Sequence, residues 1–124
     1  MPRVTVILPT WNRAEWLETA IESVLAQTFR DYELIVVDDA STDSTVEIFE
    51  RYSGKFRCII LTKNRGVSTA RNAAVLKSDS EWIAFLDSDD IWHNEKLEKQ
   101  ISAASERPDH FLHCLLYTSP SPRD

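Results

Sequence analysis

Residues 34–43 read LIVVDDASTD, and this stretch decides the fold class. A continuous apolar run such as 34–37 is typical of a strand buried on both faces, the kind found in parallel sheets. The run stops at Asp38-Asp39, a polar loop follows, and residues 45–52 show a helical pattern. A buried strand, a loop and a helix form the repeating unit of α/β proteins with a parallel sheet.

The same unit recurs on both sides of this stretch. Apolar runs predict further strands at 4–8, 58–61 and 82–86. Each is followed by a helical pattern, and residues 68–77 and 95–105 are the later two of these helices. The sequence therefore predicts an α/β fold with a mostly parallel sheet and helices on both faces.

The first helix has a clear apolar face. Residues spaced i, i+3, i+4, i+7 and i+8 are apolar: Leu17, Ala20, Ile21, Val24 and Leu25. Asn12, with Glu15 three positions later, predicts the N-cap of this helix. Pro9 predicts the end of the first strand, since proline cannot donate a hydrogen bond to a sheet.

Polar residues follow three of the predicted strands. Residues 9–13 follow the first, Asp38-Asp39 the second, and the run 87–90 the fourth. Ligands of open parallel sheets bind beyond the carboxyl ends of the strands. We therefore expect these three clusters to converge on one edge of the sheet and to form a binding site there.

Composition limits the possible functions. With 124 residues the chain is expected to form one domain, and its net charge of -6 argues against nucleic acid as a partner. Only two glycines are present, Gly54 and Gly66, so neither a dinucleotide-binding fingerprint nor a Walker phosphate loop can be written.

The sequence also predicts a cellular compartment. No signal-peptide pattern and no apolar run of about 20 residues is found, so no membrane segment is expected. Cys58 lies in an apolar run and is expected to be a small buried residue, which suits a reducing environment. These features predict a cytoplasmic protein, with the full-length form at the inner face of the membrane.

The pair Asp87 and Asp89 allows two interpretations. Two carboxylates this close repel each other unless a cation lies between them, and hard oxygen ligands suit Mg²⁺ or Mn²⁺ with substrate phosphates. The alternative is an acidic cap, in which Asp90 or Asn94 begins the fourth helix. Taken alone, the cluster leaves both open.

Other candidates are also ambiguous when taken singly. Asp39 could cap backbone amides, Arg71 could form a surface ion pair, and Trp11 could pack rather than stack on a base. The remaining tryptophans are expected in the core or at its rim: Trp16, Trp82 and Trp92.

Taken together, four segments resemble glycosyltransferase family 2, the GT-A type of nucleotide-diphospho-sugar transferase. They are VTVILPTWNR (4–13), VVDDASTD (36–43), NRGVSTARN (64–72) and FLDSDD (85–90). Each segment is modest, but four in this order and spacing are specific. The resemblance covers residues 3–107 and implies a Rossmann-like GT-A fold.

The resemblance implies roles for individual residues. Pro9, Thr10 and Trp11 would line the nucleotide pocket, with Trp11 stacking near the base. Asp39 would contact the base, and Arg71 the base or the diphosphate. The segment Asp87-Ser88-Asp89 resembles the D-x-D motif, in which Asp89 ligates the divalent Mn²⁺ or Mg²⁺ and Asp87 supports ribose and metal.

The resemblance further implies transfer of a sugar from a nucleotide-diphospho-sugar, most often a UDP-sugar, to an acceptor hydroxyl, with inversion. Residues 1–113 would form the nucleotide-sugar-binding half domain, truncated before the acceptor-binding half. Residues 114–124 do not match the family and are expected to be a disordered or artefactual tail. No residue can be nominated as the general base, so this fragment is expected to bind donor and metal without turnover.

Three other classes compete with this interpretation. A receiver-type signalling domain would place an acidic pair such as Asp38-Asp39 after its first strand, whereas here a complete strand-helix unit precedes it. A phosphatase would carry its acidic motif on the first core strand, whereas residues 87–89 follow the fourth. A module that binds a nucleotide without chemistry remains a further alternative.

Overall fold

The computed structural model describes residues 2–106, along which strands and helices alternate. The elements are β1 (Val4–Thr10), α1 (Ala14–Leu25), β2 (Tyr32–Asp38), α2 (Thr45–Arg51), β3 (Arg57–Ile60), α3 (Val67–Val75), β4 (Trp82–Phe85) and α4 (Lys96–Glu106). The predicted α/β class is confirmed. The predicted boundary between residues 113 and 114 lies outside the described residues.

The four strands form one sheet in the order β3-β2-β1-β4, and every neighbouring pair is parallel. The first two crossovers run from β1 to β2 and from β2 to β3, in one direction across the sheet. The third runs back from β3 to β4, on the far side of β1. Because such crossovers are right-handed, this reversal places α3 on the face opposite α1 and α2.

Two apolar layers cover the sheet. Side chains alternate along a strand, so Val6 and Leu8 pack in the cluster that holds the buried faces of α1, α2 and α4, whereas Ile7 packs against α3. Helix α3 contributes Ala70 and Ala74, both fully buried, and these small side chains let it lie close to the strands. The predicted sheet with helices on both faces is confirmed.

The end of β1 and the start of α1 differ from the prediction. Strand β1 continues through Pro9 to Thr10, because beyond Ile7 only β2 pairs with it, so a residue without an N–H group fits there. The predicted cap by Asn12 is wrong. Arg13 occupies the N-cap position without a side-chain hydrogen bond, and Asp43 instead accepts from the backbone N–H of Ala14 at 3.1 Å.

Two burial predictions are also wrong. Cys58 is exposed because it lies on β3, the edge strand of the sheet, where it pairs with Val36 on the face opposite α3. Trp16 lies on the outer face of α1, with 51% of its surface exposed. Trp82 and Trp92 are buried, as predicted.

Candidate functional site

A cleft of about 370 Å³ opens at the carboxyl edge of the sheet. It lies where the strand order reverses, with β2 on one side of β1 and β4 on the other, the position at which doubly wound sheets bind ligands. Its lining combines all three polar clusters with the start of α3: Pro9, Thr10, Trp11, Arg13, Asp39, Asn64, Gly66, Val67, Ala70, Arg71, Asp87, Ser88 and Asp89. The predicted convergence is confirmed, and every residue predicted for the site lies in this one cleft.

The end of β1 supplies one wall. Thr10 is 3% exposed, and its Oγ1 is buried with no hydrogen-bond partner in the described part of the chain. A buried hydroxyl without a partner is costly, so a water molecule or a ligand atom that bonds to it would stabilise the site. The next residue, Trp11, is 50% exposed and offers an aromatic surface to the cleft.

Asp39 builds the floor between β2 and α3. It is 3% exposed, and its carboxylate accepts from the backbone N–H groups of Arg65 at 2.9 Å and Gly66 at 2.8 Å. Its backbone carbonyl also accepts from Asn64 at 3.2 Å. Gly66 has φ 97°, a left-handed conformation that glycine adopts without strain. These contacts are those expected if Asp39 caps backbone amides. The contact of Asp39 with a base stays a prediction.

Arg71 forms the opposite wall, on the face of α3 that carries Val67 and Ala70. Its Nη2 donates to Oδ1 of Asp87 at 2.9 Å, and its guanidinium lies 5.2 Å from the ring centroid of Phe85. Its Nε is buried without a hydrogen-bond partner among residues 2–106. Arg71 therefore forms an ion pair, as the salt-bridge interpretation expects. The pair lies inside the cleft, and the Nε–H group of Arg71 has no acceptor among residues 2–106.

The acidic run after β4 is held in a tight turn. The backbone N–H of Asp90 donates to the carbonyl of Asp87 at 3.0 Å, and Ser88 at the centre of the turn is 7% exposed. This turn places Asp87 and Asp89 together on the cleft lining.

The donor set fits a hard divalent cation that shares its ligands with a substrate. Within residues 2–106 no group of three or more His, Cys, Asp or Glu side chains could hold a metal by itself. Mg²⁺ and similar ions in phosphate-handling sites use only one or two carboxylates and complete their shell with substrate phosphates and water. Asp87 and Asp89 offer carboxylates of this kind on the cleft lining, and metal binding by them stays a prediction.

Several cleft residues were missed by sequence reasoning. Asn64, Gly66, Val67 and Ala70 line the cleft because Asp39 anchors the turn before α3 there. The signal is present in the sequence, since these residues belong to the segment 64–72 that carries part of the resemblance, but the resemblance implies a role for Arg71 alone.

Gln27 is a second omission, and it acts at a distance from the cleft. It is 1% exposed, donates from Nε2 to the carbonyl of His93 at 2.7 Å and accepts from the N–H of Leu97 at 3.0 Å. It thereby ties the segment after the acidic turn to the end of α1. A lone glutamine in the sequence carries no signal for such a role.

The model of the family described as Glycosyl transferase family 2 matches residues 5–123. The chain belongs to this family. One similar protein is the "Putative teichuronic acid biosynthesis glycosyltransferase TuaG" of Bacillus subtilis, 40% identical over 109 residues, which cover 86% of this chain and 43% of TuaG.

Solved structures agree with the family 2 assignment. "S. aureus TarS 1-349 in complex with UDP" superposes with a TM-score of 0.79 at 32% identity, covering 86% of this chain and 33% of TarS 1-349. The mannosyltransferase PcManGT from Pyrobaculum calidifontis, "in complex with GDP-Man and Mn2+", gives a TM-score of 0.74 at 29% identity, covering 86% of this chain and 33% of PcManGT. The predicted Rossmann-like GT-A fold is confirmed.

The chain spans less than half the length of these relatives. In the described range, none of the helices is both long and apolar enough to cross a membrane.

Proposed function

We propose that this chain forms the donor-binding part of a glycosyltransferase that moves a sugar from a nucleotide-diphospho-sugar, a UDP-sugar in our assignment, to an acceptor hydroxyl with inversion. One observation carries the proposal. A single cleft combines two carboxylates, Asp87 and Asp89, with two buried polar atoms, Thr10 Oγ1 and Arg71 Nε, that have no hydrogen-bond partner among residues 2–106. Its volume of about 370 Å³ lies at the lower end of the range typical of small-molecule sites.

The nucleoside end of the donor would lie between β1 and α3. There Trp11 offers an exposed aromatic face on which a base can stack. Pro9 and Thr10 would shape the pocket beside it, and Asp39 would accept a hydrogen bond from the base. An ionised carboxylate accepts at several lone-pair positions, so its bonds to Arg65 and Gly66 leave capacity for a ligand.

The diphosphate would lie near the acidic turn. Asp89 and Asp87 would hold the Mn²⁺ or Mg²⁺ ion, with Ser88 beside them. When bound, such a cation neutralises charge that develops on the leaving nucleoside diphosphate. Arg71 lies next to Asp87 and would contribute a second positive charge from the opposite wall. The Mn²⁺ bound by PcManGT together with GDP-Man supports this choice of cofactor.

The acceptor would be a glycan, a lipid-linked sugar or a protein, bound by sequence outside this cleft. TuaG, named for teichuronic acid biosynthesis, supports a place in polysaccharide synthesis. The compartment in our proposal is the cytoplasm or the inner face of the membrane. Because the chain spans less than half of its relatives, we expect the 124-residue polypeptide to bind donor without transferring sugar.

Calorimetric titration of the 124-residue chain with UDP tests the proposal. We expect binding that strengthens with Mn²⁺ or Mg²⁺ and weakens with EDTA. A thermal-shift panel of UDP, GDP, dTDP and ADP would rank the bases, since a ligand that binds the folded state raises the melting temperature. Absence of binding by every nucleoside diphosphate, with and without metal, would refute the proposal. Turnover of a UDP-sugar by this chain alone would refute the expectation that it lacks transfer activity.

A further inference from the structure

Asn12, directly after Trp11, has an unusual backbone conformation. Its φ is 50°, in the left-handed region that costs most side chains free energy but that asparagine tolerates comparatively well. It belongs to the bend that turns the chain from β1 into α1, and it does not cap that helix. The conformation therefore needs another explanation.

The contacts of Asn12 provide one. Its backbone N–H donates to Oγ of Ser41 at 2.9 Å, and its side-chain Oδ1 accepts from the backbone N–H of Thr42 at 2.8 Å. Ser41 is itself fixed, because its hydroxyl and its backbone N–H both donate to the carboxylate of Asp38. Asn12 thus ties the loop after β1 to the loop after β2.

This connection fixes the backbone on one side of Trp11, and the sheet fixes it on the other. Thr10 is the last residue of β1, and its carbonyl accepts from the N–H of Asp39 at 2.9 Å. Half of the surface of Trp11 is exposed, so packing alone constrains its side chain weakly. Its direction into the cleft then depends on the backbone at both neighbours.

We propose that Asn12 is a positioning residue that holds Trp11 ready to stack on the base of a nucleoside diphosphate. The proposal rests on the function proposed above. Without the side-chain bond of Asn12, the loop would populate other conformations, and only the fraction with Trp11 in place would bind. Loss of one such hydrogen bond corresponds to weaker binding by about three- to tenfold.

Three variants separate this role from a general effect on stability. Asn12→Gly keeps the left-handed backbone accessible but removes Oδ1. Asn12→Asp retains an oxygen acceptor at the same place and should restore the wild-type behaviour. Asn72→Gly serves as the control, because it destabilises an exposed position inside α3 and does not lie on the cleft lining.

Two measurements on the 124-residue chain decide the matter. The first is the ¹⁹F NMR resonance of Trp11 in protein labelled with 5-fluorotryptophan, assigned with Trp11→Phe and recorded without nucleotide. We expect the resonance to move or broaden in Asn12→Gly, and to remain as in the wild type in Asn12→Asp and Asn72→Gly. The second is the UDP affinity with Mn²⁺, measured with Trp11 intact and with Trp11→Ala. Asn12→Gly should weaken binding three- to tenfold only where Trp11 is present.

The inference is overturned if the Trp11 resonance of Asn12→Gly coincides with that of the wild type, or if Asn12→Gly lowers affinity equally with and without Trp11. If the wild-type chain binds no nucleotide, the proposed function fails, and the resonance of the nucleotide-free protein still decides whether Asn12 positions Trp11.

Discussion

Nη2 of Arg71 donates to Oδ1 of Asp87 across 2.9 Å, which joins helix α3 to the acidic turn after β4. The pair spans the cleft wall that a diphosphate would approach. Each side chain is about one-third exposed, so solvent screens the attraction only in part. The ion pair gives Asp87 a cationic neighbour within the protein.

Arg71→Ala should weaken UDP binding by about 1.5–3 kcal/mol, the usual cost of losing a hydrogen bond to a charged group. It also leaves Asp87 without this partner. Isothermal titration with Mn²⁺ measures the change. Arg57→Ala is a matched control, because it removes an arginine paired with Glu33 at 2.9 Å, outside the cleft lining. Equal affinities for Arg71→Ala and Arg57→Ala would leave Arg71 with a structural role only.

Asp89→Asn should abolish the increase in UDP affinity that Mn²⁺ produces, because an amide is a much weaker ligand than a carboxylate for a hard cation. The measurement is a pair of UDP titrations, with Mn²⁺ and with EDTA. Asp79→Asn, at an exposed position before β4, loses the same charge outside the cleft lining and should keep the metal dependence. A metal effect that survives in Asp89→Asn would show that Asp89 is not the ligand.

Asp39→Ala should lower both the melting temperature and the UDP affinity, because it leaves the N–H groups of Arg65 and Gly66 without their acceptors. Asp39→Asn keeps one acceptor oxygen, so it should lower the melting temperature and the UDP affinity less than Asp39→Ala does. Urea unfolding and UDP titration on the same samples measure the two effects, each about 1–3 kcal/mol for Asp39→Ala. Unchanged unfolding in Asp39→Ala would contradict the contacts described for this carboxylate.

Stability should depend on pH through Asp43. Desolvation raises the pKa of Asp43, but hydrogen bonds from Thr45 and from the backbone N–H of Ala14 outweigh it and hold the pKa below its usual value of 3.8. A carboxyl whose pKa is lower in the folded state stabilises it above the unfolded pKa. That contribution is lost as the pH falls through the folded pKa.

Asp43→Asn should therefore destabilise the chain at pH 7, by less than about 1 kcal/mol because Asp43 is exposed to solvent. The difference from the wild type should shrink as the pH falls below 3.8. Urea unfolding at several pH values measures it. If the difference in the free energy of unfolding between the wild type and Asp43→Asn stays constant down to pH 2, the charge of Asp43 does not stabilise the starts of α1 and α2.

The sheet and its helices could be predicted from sequence because their signals are local. The run Leu34–Val37 by itself predicts a buried strand. The spacing of Leu17, Ile21 and Val24 predicts the buried face of a helix. The convergence of the three polar clusters followed from topology alone, because parallel strands end at the same edge.

The contacts between loops could not be predicted in the same way. Asn12 has the spacing of an N-cap, yet its side chain bonds to Thr42, thirty positions away. Asp39 bonds to amides in the turn before α3, and Cys58 is exposed because its strand happens to lie at the edge. Each outcome depends on which elements become neighbours in space, which spacing along the chain does not encode.

The strand order also governs when the cleft can form during folding. Val4 pairs with both Tyr32 and Trp82, and the second pairing must close a far longer loop, which carries the greater entropic cost. Strands β1, β2 and β3 can therefore associate first, with Trp11 and Asp39 in place but without the acidic turn opposite. We therefore expect docking of β4 to complete the cavity as a late folding event. A nucleotide that touches both walls would oppose the departure of β4, so it should slow unfolding more than it speeds folding.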